Sequence, residues 1–124
     1  MAQYLGLVDN KTKNQLIQNC KAIISCPEPD WMEAFGLYAV EAMNFYKPVI
    51  AIANGGLNDI VQHGVTGYLA NNPEQLKPFV EKIDDIDPYT CRERLEENFT
   101  TSVMGQNYLN MFQKIIDKDI TSYW

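Results

Sequence analysis

The stretch that specifies the fold runs from Ala22 to Ala53 and reads AIISCPEPDWMEAFGLYAVEAMNFYKPVIAIA. It opens with the short apolar run Ala22–Cys26 and closes with the longer run Pro48–Ala53. Between them lie a proline-containing loop and a helical pattern from about Gly36 to Phe45. Continuous apolar runs are typical of strands in a parallel sheet that is covered on both faces. A strand, a helix and a second strand in this order predict a right-handed crossover and a parallel α/β fold.

The alternation of apolar runs and helical patterns continues on both sides of this stretch. Tyr4–Val8 is predicted as a first strand and Tyr68–Ala70 as a last one, which gives a three-layer, Rossmann-like parallel sheet of about four strands. Asp9 is predicted to cap a helix that continues to about Cys20. Further helices are predicted over Leu57 to Gln62, Pro73 to Asp84, Pro88 to Asn98 and Thr101 to about Asp117. We expect a single domain, 1–124, because a chain of 124 residues suffices for one compact core and not for two.

Two of the helices have a predicted core-facing side, because their apolar residues recur at helical spacing. In the helix that begins near Gly36, these residues are Leu37, Val40, Ala42 and Met43. In the last helix they are Val103, Tyr108, Met111, Phe112 and Ile115.

The composition excludes several classes of function. The net charge is −6 and no basic run is present, so the chain lacks the electrostatic footprint of a protein that binds nucleic acid or anionic lipid. No apolar stretch is long enough for a transmembrane segment, and the N-terminus does not resemble a signal peptide. The cysteines Cys20, Cys26 and Cys91 match no zinc-binding spacing, and we interpret them as reduced, buried thiols of a cytoplasmic protein. The single histidine, His63, is interpreted as a surface turn residue.

The candidate site lies in the loop and helix that follow the run Ala22–Cys26. Glu33 falls in the loop and Glu41 falls inside the next helix, eight residues later. Ligands of open α/β sheets bind at the carboxyl ends of the strands, and eight helical residues span up to ~12 Å. The helix N-terminus between the carboxylates offers free N–H groups at 36–38, which attract an anion. A sugar, a diphosphate and a ribose in that order fit this arrangement.

The order of motifs resembles that of the family-4 retaining glycosyltransferases, also called group 1 glycosyl transferases, which have the GT-B fold. The family signature has two glutamates separated by seven residues, and Glu33 and Glu41 have this spacing. The tripeptides FGL (35–37) and EAM (41–43) also resemble the signature. The resemblance extends to PVIA (48–51), Gly55-Gly56 and GVTGYL (64–69), and it covers nearly the whole chain. It identifies the chain as the C-terminal, donor-binding part of such an enzyme, an incomplete C-terminal half of the GT-B fold.

The resemblance implies a role for each motif residue. Glu33, the candidate catalytic residue, would contact the hydroxyls of the donor sugar, and Glu41 would bind the ribose hydroxyls. The N–H groups of Phe35, Gly36 and Leu37 would lie over the sugar and the diphosphate. Gly55 and Gly56 complete the expected substrate-binding set. No metal and no other cofactor is expected, because in this family the helix end and basic side chains hold the diphosphate.

The chain also departs from the family pattern. Tyr46 stands where the family usually has a glycine that ends the helix, and a tyrosine in the left-handed region should cost ~1 kcal/mol or force another geometry. Asn58 and Asp59 stand where the family usually has proline and glutamate, and His63 stands where an acidic residue is common. The resembled enzymes also have an acceptor-binding domain, and two further strands that carry an arginine and a lysine for the diphosphate, and no part of these 124 residues matches them. We therefore expect an isolated chain to be inactive and to need a missing or separate acceptor-binding domain.

In the resembled fold, two strands would separate Tyr4–Val8 from the rest of the sheet. A lone strand leaves its backbone groups unpaired, so two arrangements remain. Tyr4–Val8 pairs directly with Ala22–Cys26, or the open sheet edge is covered by self-association with a second copy. We expect the direct pairing.

Other interpretations of these residues stay open. The first function considered is the donor half of an enzyme that transfers a hexose from a nucleoside-diphosphate sugar to a glycan or lipid-linked acceptor, with retention. The second is a non-catalytic α/β module that binds a nucleotide or a partner. The third is a generic doubly wound domain, such as a signalling receiver. Glu33 could be a first-turn helix residue that the helix dipole stabilises, without a ligand. Glu41 could have a purely structural partner, and Gly55-Gly56 could be only a strand-to-helix turn.

Overall fold

A computed structural model describes residues 2–28 and 30–117 of the chain. Its sheet has three parallel strands, β1 (Ile23–Ser25), β2 (Val49–Ile52) and β3 (Gly67–Ala70), in the order β1-β2-β3. Ile24 pairs in register with Ile50, and Ile50 pairs with Tyr68. The predicted parallel α/β class is confirmed, with β2 at the centre of the sheet.

Six α-helices occur in the described residues, together with two short 3-10 turns at 73–75 and 83–85. The helices are α1 (Asn10–Asn19), α2 (Leu37–Asn44), α3 (Leu57–Ile60), α4 (Leu76–Glu81), α5 (Pro88–Asn98) and α6 (Thr101–Ile116). None of these helices is both long and apolar enough to cross a membrane.

The core forms between β2, α2 and α5. Val49, Ile50 and Ala51 of β2 are at most 1% exposed, which is why the sequence of this strand is apolar without alternation. Ala39, Ala42 and Met43 of α2 are fully buried against it, and Cys91 and Leu95 of α5 belong to the same cluster. Burial is confirmed for Cys91 and is wrong for the other two cysteines, because Cys26 is exposed and Cys20 is partly exposed. The burial of α2 fixes its position relative to the end of β1, where the candidate site lies.

The helix ends follow local sequence signals. The Asp9 carboxylate accepts a hydrogen bond from the Thr12 N–H at 2.7 Å and caps α1, and this bond lowers the pKa of Asp9. At the end of α2, Tyr46 adopts φ 60°, and its N–H donates to the Met43 carbonyl at 3.0 Å. The Lys47 N–H donates to the Ala42 carbonyl at 2.9 Å, so a Schellman ending forms without glycine.

The prediction of a fourth strand at Tyr4–Val8 is wrong, and the direct pairing with Ala22–Cys26 is wrong with it. These residues form no strand, and Tyr4 and Leu7 are almost fully exposed. Gly6 turns the chain with φ 64°, which interrupts an extended backbone. An apolar run forms a strand only where a neighbouring strand can pair with its backbone, and within the described residues no strand pairs with Tyr4–Val8.

The predicted core-facing side of α6 is also wrong. No residue of α6 is buried, and its large apolar side chains Tyr108, Phe112 and Ile115 are each about half exposed. The residues lie at helical spacing as predicted, but the core is already filled by α2 and α5. Leu37, predicted to face inward on α2, is 70% exposed for a different reason, since it lies at the first turn beside the candidate site.

Candidate functional site

The loop between β1 and α2 is fixed by the loop that follows β2. The Gly56 N–H donates to the Glu33 carbonyl at 2.8 Å, and the Asn54 Nδ2 donates to the Trp31 carbonyl at 2.6 Å. Both loops leave the carboxyl ends of adjacent parallel strands, so they meet at one edge of the sheet. The backbone around Glu33 is therefore held in place by two hydrogen bonds.

Gly55 and Gly56 allow this close approach. A Cβ on Gly55 would lie 2.0 Å from the Glu33 carbonyl oxygen, and a Cβ on Gly56 would lie 2.7 Å from the Ala34 carbonyl oxygen. Gly55 also has φ 52°, which disfavours any residue with a side chain. The Gly56 N–H is used by Glu33, so these glycines have a structural task, and their predicted contact with a ligand stays a prediction.

The N-terminus of α2 presents free donors. Gly36 precedes the helix with φ 96°, and a Cβ there would lie 2.9 Å from a methyl group of Leu57. The structure records an acceptor for the Ala39 N–H, the Gly36 carbonyl at 2.9 Å, but none among the described residues for the N–H groups of Leu37 and Tyr38. The Tyr38 hydroxyl and Ser25 Oγ are 2.6 Å apart, which ties this end of α2 to the end of β1. Such an end is suited to an anion.

Glu33 lies beside this helix end. Its Cγ is 3.5 Å from the position that a Cβ on Gly36 would take, and the residue is half-buried. No hydrogen bond or ion pair of its carboxylate is recorded among the described residues. The carboxylate is thus an available acceptor next to the free N–H groups.

Glu41 lies one turn further along α2 and has a partner. Its Oε1 accepts a hydrogen bond from Lys13 Nζ at 2.7 Å, and the Lys13 and Glu41 side chains are 37% and 41% exposed. Glu41 also lines a cavity of about 390 Å³ between α1, α2 and α5. The two alternatives from the sequence, a cleft position and a structural partner, both hold for this carboxylate.

Lys13 is the site-adjacent residue that the sequence did not indicate. It lies 28 residues before Glu41, and nothing in its local spacing connects it with the motif that contains Glu41. Only the packing of α1 beside α2 brings the two charges together.

Apolar side chains surround the candidate site. Trp31 and Met32 are 64% and 75% exposed, and Phe35 contacts Phe99 edge-to-face with ring centroids 6.2 Å apart. Behind Phe35 lies an apolar cavity of about 370 Å³, which Phe99 and Tyr108 also line. The sequence did not predict this cavity, because α6 was expected to face the core.

His63 is exposed, as predicted, but it lies just before the turn at 64–66 and forms an isolated parallel β-bridge with Gly67. Its Nδ1 accepts a hydrogen bond from the Leu69 N–H at 3.1 Å, and its ring packs edge-on against Tyr68 and Phe79. It lies outside the candidate site. In the part of the chain that the structure describes, no group of three or more His, Cys, Asp or Glu residues is arranged to hold a metal ion.

The chain is similar to parts of several longer proteins. The family model described as "Glycosyl transferases group 1" matches residues 1–115. The alpha-1,3/1,6-mannosyltransferase ALG2 of Dictyostelium discoideum is 31% identical over 121 residues, which are 90% of this chain and 28% of that protein. The D-inositol 3-phosphate glycosyltransferase of Mycolicibacterium vanbaalenii is 38% identical over 77 residues, 57% of this chain and 17% of that protein.

A solved structure has a similar fold. Anabaena Alr3699/HepE in complex with UDP-glucose superimposes with a TM-score of 0.65 and 24% sequence identity, over 81% of this chain and 29% of that one. The chain spans less than a third of the length of each of these relatives.

Proposed function

Because the chain belongs to the group 1 glycosyl transferases, we propose that it forms the donor-binding part of a retaining glycosyltransferase. In this proposal a hexose passes from a nucleoside-diphosphate sugar to a glycan or lipid-linked acceptor, and the acceptor site is supplied by a further domain or subunit. The fold, shared with part of a GT-B structure that was solved in complex with UDP-glucose, supports the proposal. Retention is proposed on the motif resemblance alone.

One observation carries the proposal. Glu33, the free N–H groups of α2 and Glu41 follow one another along the same helix end, with a hydrogen-bond acceptor at each end and donors between them. A nucleoside-diphosphate sugar has the complementary order, with hydroxyls on the sugar and the ribose and an anion between them. Glu33 would accept from the sugar hydroxyls, the Leu37 and Tyr38 N–H groups would bind the diphosphate, and Glu41 would accept from the ribose.

The affinity of this chain should be low. A helix N-terminus stabilises an anion by only ~0.3–1 kcal/mol, and the Lys13 cation is already paired with Glu41. We expect a dissociation constant in the millimolar range, ~−4 kcal/mol. No metal is required in this proposal, since the donors are backbone N–H groups.

The test is a ligand-observed NMR screen of nucleoside-diphosphate sugars, beginning with UDP-glucose. Millimolar binding that Glu41→Ala weakens, while the thermal unfolding midpoint stays unchanged, would support the proposal. A micromolar constant would show that the diphosphate has a stronger site than the one described. If Glu41→Ala unfolds the domain without changing the residual affinity, Glu41 is structural and the site assignment fails.

A non-catalytic binding module is the second candidate, and one observation favours it. Of the ion pairs among the described residues, the only one that reaches a candidate site group joins Lys13 to Glu41, and none reaches Glu33. The donors that the described residues offer between the two carboxylates are thus backbone N–H groups. Sugar transfer by the chain together with an acceptor-domain partner, and its loss in Glu33→Ala, would exclude this candidate.

A further inference from the structure

The ion pair between Lys13 and Glu41 joins two helices at the edge of the candidate site. Lys13 belongs to α1, Glu41 belongs to α2, and Nζ lies 2.7 Å from Oε1. The pair Lys21–Asp84 is 77% exposed on both sides, whereas both side chains of Lys13–Glu41 are about 40% exposed. Lys13–Glu41 is therefore partly shielded from solvent, which orders its side chains more than those of an open surface pair.

The position of Lys13 is not explained by helix stability. It is the fourth residue of α1, near the end where the helix dipole disfavours a cation. Its ammonium group also reaches away from the neighbouring turns to another helix. The ion pair with Glu41 is thus the favourable interaction that Lys13 makes at this position.

The geometry of the pair leaves Glu41 able to bind. Lys13 contacts Oε1, and no hydrogen bond of Oε2 is recorded among the described residues. A carboxylate with one oxygen held has fewer rotamers to lose when a ligand binds to it. The free oxygen, and the second lone pair of Oε1, can then accept from two neighbouring hydroxyls.

We propose that Lys13 is a positioning residue, which orients the Glu41 carboxylate toward the 2′- and 3′-hydroxyls of a ribose and so sets the preference for ribonucleotides over 2′-deoxyribonucleotides. This inference rests on the proposed function, because it requires that Glu41 meets the ribose. Lys13 acts through Glu41 and not through a contact with the diphosphate. Removal of the Lys13 charge should therefore reduce the preference for ribose over 2′-deoxyribose, and not only the overall affinity for the nucleotide.

The experiment measures dissociation constants of UDP and 2′-deoxy-UDP for the complete 124-residue chain by protein-observed NMR titration. Lys13→Met keeps the length of the side chain and removes its charge, Lys13→Arg restores the charge, and Lys21→Met is the matched control at an exposed pair. We expect Lys13→Met to weaken UDP binding ~3- to 10-fold and 2′-deoxy-UDP binding less than ~2-fold. Lys13→Arg should recover most of the loss, and Lys21→Met should behave as the parent chain.

Four outcomes would overturn the inference. An equal loss for both nucleotides would make Lys13 a general electrostatic contact with the diphosphate. Tighter UDP binding by Lys13→Met would make it a competitor for Glu41. Unchanged UDP binding in Lys13→Met, while Glu41→Gln still weakens it, would remove the inference and leave the proposed function intact. No UDP binding by the parent chain, or none lost in Glu41→Gln, would remove both.

Discussion

Gly55 and Tyr46 both place their backbone in the left-handed region, but for different reasons. At Gly55, φ 52° coincides with a backbone contact that no side chain could share, since a Cβ would lie 2.0 Å from the Glu33 carbonyl oxygen. At Tyr46, φ 60° ends a helix, and the side chain has room. A single residue can therefore be required by packing, as Gly55 is, or tolerated at a cost, as Tyr46 is.

Gly55→Ala should be far more costly than its conformation alone implies. Gly64 is a matched control, because it has φ 77° and nothing lies within 4 Å of the place that a Cβ would take, so Gly64→Ala measures the conformational cost by itself. We expect Gly64→Ala to lower the free energy of unfolding by ~1 kcal/mol and Gly55→Ala by ~3 kcal/mol or more, since the loop that carries Glu33 must move. Urea denaturation of both variants measures the difference. Equal costs would show that the two loops separate easily.

Cys91 predicts a pH dependence of stability. Burial raises the pKa of this thiol from its ordinary 9.0 to about 11, and its Sγ lies 3.6 Å from the Thr66 carbonyl oxygen. The folded state therefore retains the proton that the unfolded chain releases above pH 9, so the contribution is complete below pH 9 and is lost as the pH rises through about 11.

The measurement is urea denaturation from about pH 8 to about pH 11.5 with the parent chain, Cys91→Ala and the exposed control Cys26→Ala. The three proteins differ only at Cys91 and Cys26, so the comparison isolates the buried thiol. Cys91→Ala should be less stable at the low end of this range but lose less stability on the way to high pH, whereas Cys26→Ala should follow the parent chain. Parallel curves for Cys91→Ala and the parent would contradict the assignment.

At the scale of elements, α2 shows how a helix can end without its usual residue. Tyr46 makes both hydrogen bonds of the Schellman ending possible, and its ring packs edge-to-face on Tyr89 at 5.6 Å and under Arg92 at 5.8 Å. These aromatic contacts contribute ~0.5–1.5 kcal/mol, which is of the same size as the backbone strain. The tyrosine is therefore accommodated by contacts with α5.

Comparing Tyr46→Gly with Tyr46→Ala separates these two terms. Both substitutions remove the ring, but only glycine relieves the strain at φ 60°. We expect the glycine variant to be more stable than the alanine variant by ~1 kcal/mol and close to the parent chain. Thermal unfolding of the three proteins measures this. If alanine and glycine are equally stable, the end of α2 has rearranged in the variants.

The elements that could be predicted from the sequence are those whose environment is local or fully buried. The apolar run of β2 and the cap of α1 at Asp9 have such signals, and both predictions are confirmed. The predicted strand at Tyr4–Val8 and the predicted core-facing side of α6 are wrong, because an apolar pattern does not show whether a partner surface exists. Within the candidate site, the loop with Glu33 was located, but the Lys13 contact was not, since it depends on how two helices pack.

Across the whole molecule, many large apolar side chains are exposed. Tyr108, Phe112 and Ile115 of α6 are about half exposed, and Trp31 and Met32 beside the candidate site are more so. Large contiguous apolar patches mark surfaces that bind protein, membrane or ligand. β1 is also an edge strand, so one side of its backbone is unpaired within the sheet. The chain covers less than a third of the length of these relatives.

We expect that the 124-residue chain alone does not transfer sugar at the rate of an enzyme. Glu33 is only half-buried and the neighbouring Trp31 is 64% exposed, so a donor bound there would remain in contact with water. Acceleration of group transfer depends on a site that excludes water and holds both reactants in position. A single wall with a donor subsite satisfies neither condition, although it can bind the donor weakly.

Incubation of the purified chain with UDP-glucose and a panel of glycan acceptors, followed by detection of the glycosylated product, is the measurement. Glu33→Ala and Glu41→Ala serve as controls, because product that persists in both variants comes from a contaminating enzyme. Turnover near ~1 s⁻¹ that disappears in the variants would refute the prediction, since it would mean that the exposed surface already forms a closed site, for example between two copies of the chain. Slow release of glucose without an acceptor product would not refute it, because an open donor site leaves water as the nearest nucleophile.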